Sequence, residues 1–74
     1  MPYVNIKVTR EGVTAKQKEA LIAGATKLLQ DVLNKSPATT AVVIDEVDLD
    51  NWGIGGLPVT EFRKNHQIKR QQKE

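Results

Sequence analysis

The residue whose chemical type most directly suggests catalysis is Pro2. Removal of Met1, which is favoured when a small residue follows, leaves Pro2 with a free secondary amine. In an apolar pocket the ammonium form is disfavoured, so the pKa of the amine falls. A neutral amine near pH 7 is a general base that takes a proton from one carbon and returns it to another. The Met-Pro start alone is better explained by a proline that is merely tolerated at the first position of a strand.

Two further side chains are candidates for holding a substrate. Arg10 is the only arginine before residue 63. A guanidinium matches a carboxylate through two parallel hydrogen bonds, so Arg10 is a candidate carboxylate anchor. Trp52 is a candidate pocket wall, although an aromatic residue here is equally compatible with a core or interface anchor.

Other residues that suggest a site lack the spacing that the site needs. The chain has no cysteine and one histidine, His66, which cannot build a zinc or iron centre alone. The acidic residues within 45–50 lack the glycine and terminal glutamate of a calcium loop. Gly53, Gly55 and Gly56 lack the helix and the Lys-Ser/Thr that follow in a phosphate loop. We therefore expect neither a metal nor a cofactor.

A strand, a helix and a second strand must position the candidates. Alternating apolar residues predict a half-buried strand over Tyr3–Thr9, and β-branched residues predict another over Thr39–Val47. Between them Thr14 and Gln17 fit a capping box, which opens a helix that stops before Pro37. The apolar face of this helix has the expected spacing, with Leu21, Ile22, Ala25, Leu28, Leu29, Val32 and Leu33.

These elements define an α+β fold class. The strand–helix–strand order predicts a βαβ unit with parallel strands and a right-handed crossover. Residues 52–57 alternate large and flexible side chains, which predicts a short C-terminal hairpin. We expect one domain over residues 1–62, followed by a basic polar tail over residues 63–74 that is a short exposed helix or disordered.

The length of the chain predicts an oligomer. A domain of 74 residues buries little of its surface, and without cysteines it has no disulfide to compensate. Two parallel strands under one helix leave the other face of the sheet bare, whereas parallel sheets are normally covered on both faces. We therefore expect partner copies of the same chain, as a dimer or a hexamer.

The charge of the chain is concentrated in its tail. Residues 63–74 hold five Lys/Arg and one Glu, a net charge of +4, whereas residues 1–62 hold six Lys/Arg and eight Asp/Glu, a net charge of −2. No stretch approaches the roughly 20 apolar residues that span a bilayer. The start of the chain lacks a signal-peptide pattern, so we expect no membrane and a cytoplasmic location.

Several motifs together resemble the 4-oxalocrotonate tautomerase family. They are Met1-Pro2 before a short strand, the helix around Gln17–Ile22, the strand around Val42–Val47 and the Trp-Gly-Ile-Gly-Gly run at 52–56. The resemblance covers roughly residues 1–62. It implies a cofactor-independent isomerase in which dimers join sheets and commonly form hexamers. It also implies keto–enol isomerisation of small 2-oxo or 2-hydroxy acids, with Pro2 moving the proton, arginines binding the substrate and Trp52 walling the pocket.

The sequence departs from the best-known members of that family at two positions. Their two arginines correspond to Gly12 and Ala41 here. Arg10 lies two residues before the first position and is a candidate substitute from the same turn. For the second, the candidates are Arg63 or Lys64 from a neighbouring subunit. A dicarboxylate substrate is therefore less expected than a simpler enol acid.

Two alternative functions remain open from the sequence. One is an inactive assembly with the tautomerase fold, which the missing arginines favour. The other is a small oligomer that binds nucleic acid through phosphate contacts of its basic tail, with Lys64, Lys69, Arg70 and Lys73. The tail has no interleaved aromatic residues, and the chain has no helix-turn-helix or other nucleic-acid-recognition motif. Both observations disfavour nucleic acid as a partner.

Overall fold

Two parallel strands and one helix form the predicted βαβ unit. The computed structural model describes residues 1–65. Its first elements are strand β1 over Tyr3–Thr9, helix α1 over Ala15–Leu33 and strand β2 over Ala41–Val47. The parallel register sets Tyr3 beside Ala41 and Thr9 beside Val47. Both strands therefore begin at one end of the sheet and finish at the other.

The ends of α1 are fixed by local hydrogen bonds. The Gln17 N–H donates to Thr14 Oγ1 (3.1 Å), and the Thr14 N–H donates to Gln17 Oε1 (2.9 Å). At the other end Asn34 adopts the left-handed conformation (φ 56°), and its N–H donates to the Gln30 carbonyl (3.0 Å). The capping box read from the sequence is confirmed.

The start of β2 differs from the prediction. The strand begins at Ala41, not at Thr39, because Pro37–Thr39 forms a 3₁₀ turn. Ser36 caps this turn by accepting a hydrogen bond from the Ala38 N–H (3.2 Å). The turn keeps Thr39 out of the sheet, although the β-branched side chain of Thr39 favours a strand.

A short hairpin follows β2. After a 3₁₀ turn over Leu49–Asn51, strands β3 (Gly53–Ile54) and β4 (Leu57–Pro58) pair antiparallel. Gly55 and Gly56 join them with φ of 62° and 81°, values that glycine adopts at low cost and that suit a two-residue hairpin. The predicted hairpin is confirmed.

A helical segment over residues 59–65 ends the described chain. Its first residue, Val59, is 6% exposed, and it is the single buried hydrophobic residue within 1–65. The expected boundary between Phe62 and Arg63 falls inside this segment. His66 and the tail cations Lys69, Arg70 and Lys73 lie outside the described residues.

The protomer has a thin core. Lys18 of α1 reaches Glu46 of β2 (2.6 Å), so α1 lies over the face of the sheet that carries Val4, Ile6, Val42 and Ile44. The opposite face, which includes Tyr3 and Val43, has no covering element among residues 1–65. On α1 the side chains of Leu28 and Val32 are 60% and 70% exposed. Within residues 1–65, no helix is long and apolar enough to cross a membrane.

Candidate functional site

Pro2 lies at the end of the sheet where both strands begin. Its carbonyl accepts a hydrogen bond from the Ala41 N–H (3.0 Å), which fixes Pro2 beside the first residue of β2. Pro2 is half-buried, whereas Met1 is 97% exposed. While Met1 is attached, the Pro2 nitrogen is a tertiary amide without a basic lone pair. Its exposed position leaves Met1 accessible for removal.

Arg10 lies at the opposite end of the sheet. The Arg10 N–H donates to the carbonyl of Val47, the last residue of β2 (2.8 Å). Arg10 is eight positions after Pro2, so at about 3.3 Å per residue the two lie about 26 Å apart along β1. One protomer therefore does not bring Pro2 and Arg10 onto the same small molecule.

The Arg10 guanidinium is held by acceptors on and after β2. Nε donates to Asp48 Oδ1 (2.9 Å), and Nη2 donates to the Glu46 carbonyl (3.1 Å). Nη1 lies 3.8 Å from Glu46 Oε2. Lys18, helped by Arg10, lowers the pKa of Glu46, so this carboxylate stays charged and keeps the guanidinium oriented. Three contacts thus fix Arg10 in one position.

Arg63 brings a second guanidinium to the same end. Its two terminal nitrogens bind the two carboxylate oxygens of Glu11, with Nη2 donating to Oε2 at 3.0 Å. Thr9 also donates to Glu11. These hydrogen bonds lower the pKa of Glu11 to about 2, and the bond from Arg63 has the larger effect. The sequence analysis considered Arg63 but missed Glu11, because the pair joins residues 52 positions apart and has no local pattern.

Trp52 belongs to the same end of the molecule. It follows the last residue of β2 by five positions, and its side chain is half-buried. Its carbonyl accepts from the Val59 N–H (2.8 Å). Val59 and Arg63 are one helical turn apart, so the Trp52 backbone lies within roughly 10 Å of the Arg63 backbone. Arg10, Trp52 and Arg63 are thus grouped by the fold, and Pro2 is not among them.

The acidic residues near the end of β2 are paired with cations or amides. Asn5 and Lys7 donate to Asp45 (2.8 and 3.0 Å), and they lower the pKa of its carboxyl. Glu46 pairs with Lys18, and Asp48 with Arg10. Within residues 1–65 no group of three His, Cys, Asp or Glu side chains is arranged to hold a metal ion. Asp45, Glu46 and Asp48 are therefore members of ion pairs at the end of a strand.

The positions of the two missing arginines carry no cation. Gly12 has a φ of 87°, which a residue with a side chain adopts only with strain. Ala41 carries only a methyl group beside Pro2. Lys64 is a candidate substitute for the arginine missing at Ala41. Its Nζ lies 3.3 Å from Oε2 of Glu61 in the same helical segment.

Comparison with known proteins identifies the family. The sequence model of the tautomerase enzyme family matches residues 2–61, so the chain belongs to that family. The chain is 66% identical over 64 residues to probable tautomerase K2 of Dickeya dadantii (strain 3937). This alignment covers 86% of this chain and 96% of the relative. It is 36% identical over 62 residues to 2-hydroxymuconate tautomerase of Pseudomonas putida, covering 84% and 97%. The predicted isomerase of the 4-oxalocrotonate tautomerase type is confirmed.

Solved structures confirm the fold. DmpI from Helicobacter pylori superposes with a TM-score of 0.80 at 46% identity, covering 85% of this chain and 97% of that one. A 4-oxalocrotonate tautomerase from Chloroflexus aurantiacus J-10-fl, described as a heterohexamer, gives a TM-score of 0.75 at 25% identity, covering 85% and 100%. The α+β fold with a parallel βαβ unit and a C-terminal hairpin is therefore shared with these proteins.

Proposed function

We propose that this tautomerase moves a proton between carbon and oxygen positions of small 2-oxo or 2-hydroxy acids, with Pro2 as the general base after removal of Met1. Pro2 accepts a proton from the enol and returns it to carbon, which gives the keto acid. A secondary amine is suited to both steps because its neutral form is basic and its charged form is acidic. No cofactor takes part in this scheme.

The observation that carries the proposal is the position of Pro2 at the end of the sheet where both strands begin, directly before β1. Its carbonyl is fixed by Ala41, so the nitrogen has a defined position although it lies at the chain end. The neighbouring Ala41 methyl group contributes an apolar surface. Burial of this end against another subunit would disfavour the ammonium form and lower the pKa of the amine.

The site is completed by a second copy of the chain. Arg10 and Trp52 lie at the other end of the sheet, about 26 Å from Pro2 of the same protomer. The uncovered face of the sheet and the exposed apolar residues of α1 favour association, and a solved relative is a heterohexamer. In the homo-oligomer, Pro2 of one subunit would meet Arg10 and Trp52 of a neighbour.

Arg10 and Trp52 are the proposed substrate-binding residues of this shared site. The fixed Arg10 guanidinium offers N–H groups to the oxygen that gains charge as the proton moves, and a donor that need not reorganise is effective there. The Trp52 ring walls the pocket. Because cations are absent at Gly12 and Ala41, a monocarboxylate enol fits better than the muconate dicarboxylate named for the Pseudomonas putida relative.

The test compares three proteins on one enol, phenylenolpyruvate: the processed protein, a Met1-retained form and Pro2→Ala. The retained form has an amide nitrogen at Pro2 and should be nearly inactive, with a loss of about 10²–10⁴-fold, the usual contribution of a general base. Pro2→Ala leaves a primary, more mobile amine and should keep partial activity. Intact-mass spectrometry establishes the N-terminus of each sample.

The pH profile gives a second readout of the same test. For the processed protein kcat/KM should rise through a pKa below that of an ordinary proline amine, because the pocket disfavours the charged form. Equal turnover by the retained and processed proteins would exclude Pro2 as the base. Absence of turnover in all three proteins would favour the inactive assembly instead.

A further inference from the structure

We propose that Glu11 is an internal competitor for Arg63, and that the carboxylate of the substrate binds Arg63 by taking the place of Glu11. Glu11 would then be a specificity-determining residue that sets how tightly a carboxylate binds. This inference rests on the proposed function, since it assigns the carboxylate contact of the same shared site.

The two guanidiniums at this end of the sheet are held very differently. Arg10 contacts Asp48 and both the carbonyl and the carboxylate of Glu46, so a ligand would have to break several contacts to displace its partners. Among residues 1–65, Arg63 is paired with a single carboxylate, that of Glu11. Arg63 is therefore the guanidinium whose partner a ligand can replace in one step.

The geometry of the Glu11–Arg63 pair is that of a carboxylate ligand. Two guanidinium nitrogens meet two carboxylate oxygens, the bidentate arrangement by which arginine recognises carboxylates. Glu11 thus occupies the position that the carboxylate of a 2-oxo acid would take. The pair is accessible to a solute, since the side chains of Arg63 and Glu11 are 45% and 39% exposed.

Glu11 also lies where it can move. It belongs to the turn between β1 and α1, outside both elements, and the next residue is Gly12 in the left-handed conformation (φ 87°). Rotation of the Glu11 side chain away from Arg63 breaks no backbone hydrogen bond of the strand or the helix. After the exchange, Arg63 again contacts one carboxylate, so its own charge stays compensated.

In this exchange the two arginines have different roles. Arg63 receives the carboxylate after Glu11 leaves, and Arg10, which stays fixed, faces the oxygen where charge develops. Changes at Glu11 and Arg63 should therefore alter the dissociation constant and KM, with little effect on kcat. A purely structural role of the ion pair would instead lower stability and reduce kcat with it.

The experiment uses the processed full-length protein with Glu11→Gln, Arg63→Gln and the double variant. Asp31→Asn is the matched control, because it removes an exposed carboxylate from another ion pair, Lys27–Asp31 (2.7 Å). Binding of 3-phenylpropionate, an unreactive monocarboxylate, is measured by calorimetry, and KM and kcat are measured with phenylenolpyruvate. Far-UV circular dichroism checks that each variant is folded.

Glu11→Gln should tighten 3-phenylpropionate binding and lower KM about two- to fivefold, the size expected for release of an exposed ion pair. Arg63→Gln should weaken binding about tenfold or more, because a bidentate charged contact is lost. In the double variant the gain from Glu11→Gln should disappear relative to Arg63→Gln alone. Without Arg63, removal of the Glu11 carboxylate frees no guanidinium for the ligand. Asp31→Asn should match the unmodified protein.

Unchanged or weaker binding by folded Glu11→Gln would overturn the competitor role. A gain that persists in the double variant would also overturn it, because the effect would then be a general change of charge. These outcomes leave the proposed function intact if Pro2 still controls turnover. Conversely, loss of the Pro2 effect would refute the proposed function, while calorimetry would still report on Glu11.

Discussion

Arg10 illustrates how the role of a side chain depends on its partners as well as on its type. The sequence singles it out as a cation near the first strand, and the structure adds Asp48 and Glu46, which hold it in place. These partners are more than thirty residues away along the chain, so no local pattern reveals them. Their effect is to turn a flexible cation into a fixed donor.

Replacement of Arg10 by Ala should lower kcat/KM about ten- to a hundredfold on phenylenolpyruvate, because a charged hydrogen bond is worth about 1.5–3 kcal/mol. Arg10→Lys should recover part of the loss, since a lysine keeps the charge but not the planar set of donors. Steady-state kinetics on both variants measure this. Unchanged kcat/KM in Arg10→Ala would remove Arg10 from the site.

Glu11 should make the stability of the protein sensitive to acid. Its pKa in the folded protein is about 2, below the ordinary value of 4.5. The charged form is therefore favoured by folding, so its stabilising effect is complete above about pH 4.5 and is lost as the pH falls toward 2. Urea midpoints of the unmodified protein and Glu11→Gln, measured from pH 6 to pH 2, test this.

The difference between those two midpoints isolates Glu11, because Asp45 and Glu46, whose pKa values are also lowered, are present in both proteins. The difference should be constant above pH 4.5 and shrink below it. A difference independent of pH across the whole range would contradict the assigned ion pair.

Among the elements, those with local signals are well predicted from the sequence. The strand Tyr3–Thr9 has the predicted bounds, and the capping box of Thr14 and Gln17 forms because all its atoms lie within four residues. The predicted start of β2 at Thr39 is wrong, because Ser36 and Pro37 favour a turn that overrides the strand preference of Thr39. The pairing of Arg63 with Glu11 depends on how the elements pack, which local patterns do not contain.

The hairpin turn gives a test at the same scale. Gly55 and Gly56 both have positive φ, so Ala at either position should cost about 1–2 kcal/mol of unfolding free energy. A Cβ at Gly55 would also lie 3.3 Å from the ring of Phe62, whereas one at Gly56 would meet nothing within 4 Å. Gly55→Ala should therefore cost roughly 1 kcal/mol more, as expected for overpacking.

Urea unfolding followed by Trp52 fluorescence compares the two glycine variants at one protein concentration. Gly56→Ala serves as the matched control for backbone strain. Equal losses would mean that the Phe62 ring moves aside without cost, and that the hairpin and the segment over 59–65 are coupled more weakly than the structure indicates.

For the whole molecule, the exposed apolar surface of the protomer predicts assembly. Leu28 and Val32 lie one turn apart on α1 and are largely exposed in the single chain. Leu28→Glu should shift the oligomer toward smaller species in light scattering at micromolar concentration, because a carboxylate would be buried at a contact. Gln30→Glu, which adds the same charge at an exposed polar position, should leave the oligomer intact. A folded monomer formed by the unmodified protein would contradict this.

The separation of Pro2 from Arg10 leads to a test of the shared site by mixing. Met1-retained protein lacks the base, and Arg10→Ala lacks the guanidinium, so the first homo-oligomer alone should be nearly inactive and the second should keep about 1–10% of the activity. Dissociation and reassembly of a 1:1 mixture should restore intact sites between unlike subunits, about a quarter of all sites if subunits combine at random in a closed oligomer. Reassembling each variant alone is the control. Activity that never exceeds the mean of the two variants, despite mixed oligomers seen by native mass spectrometry, would show that Pro2 and Arg10 do not serve one site.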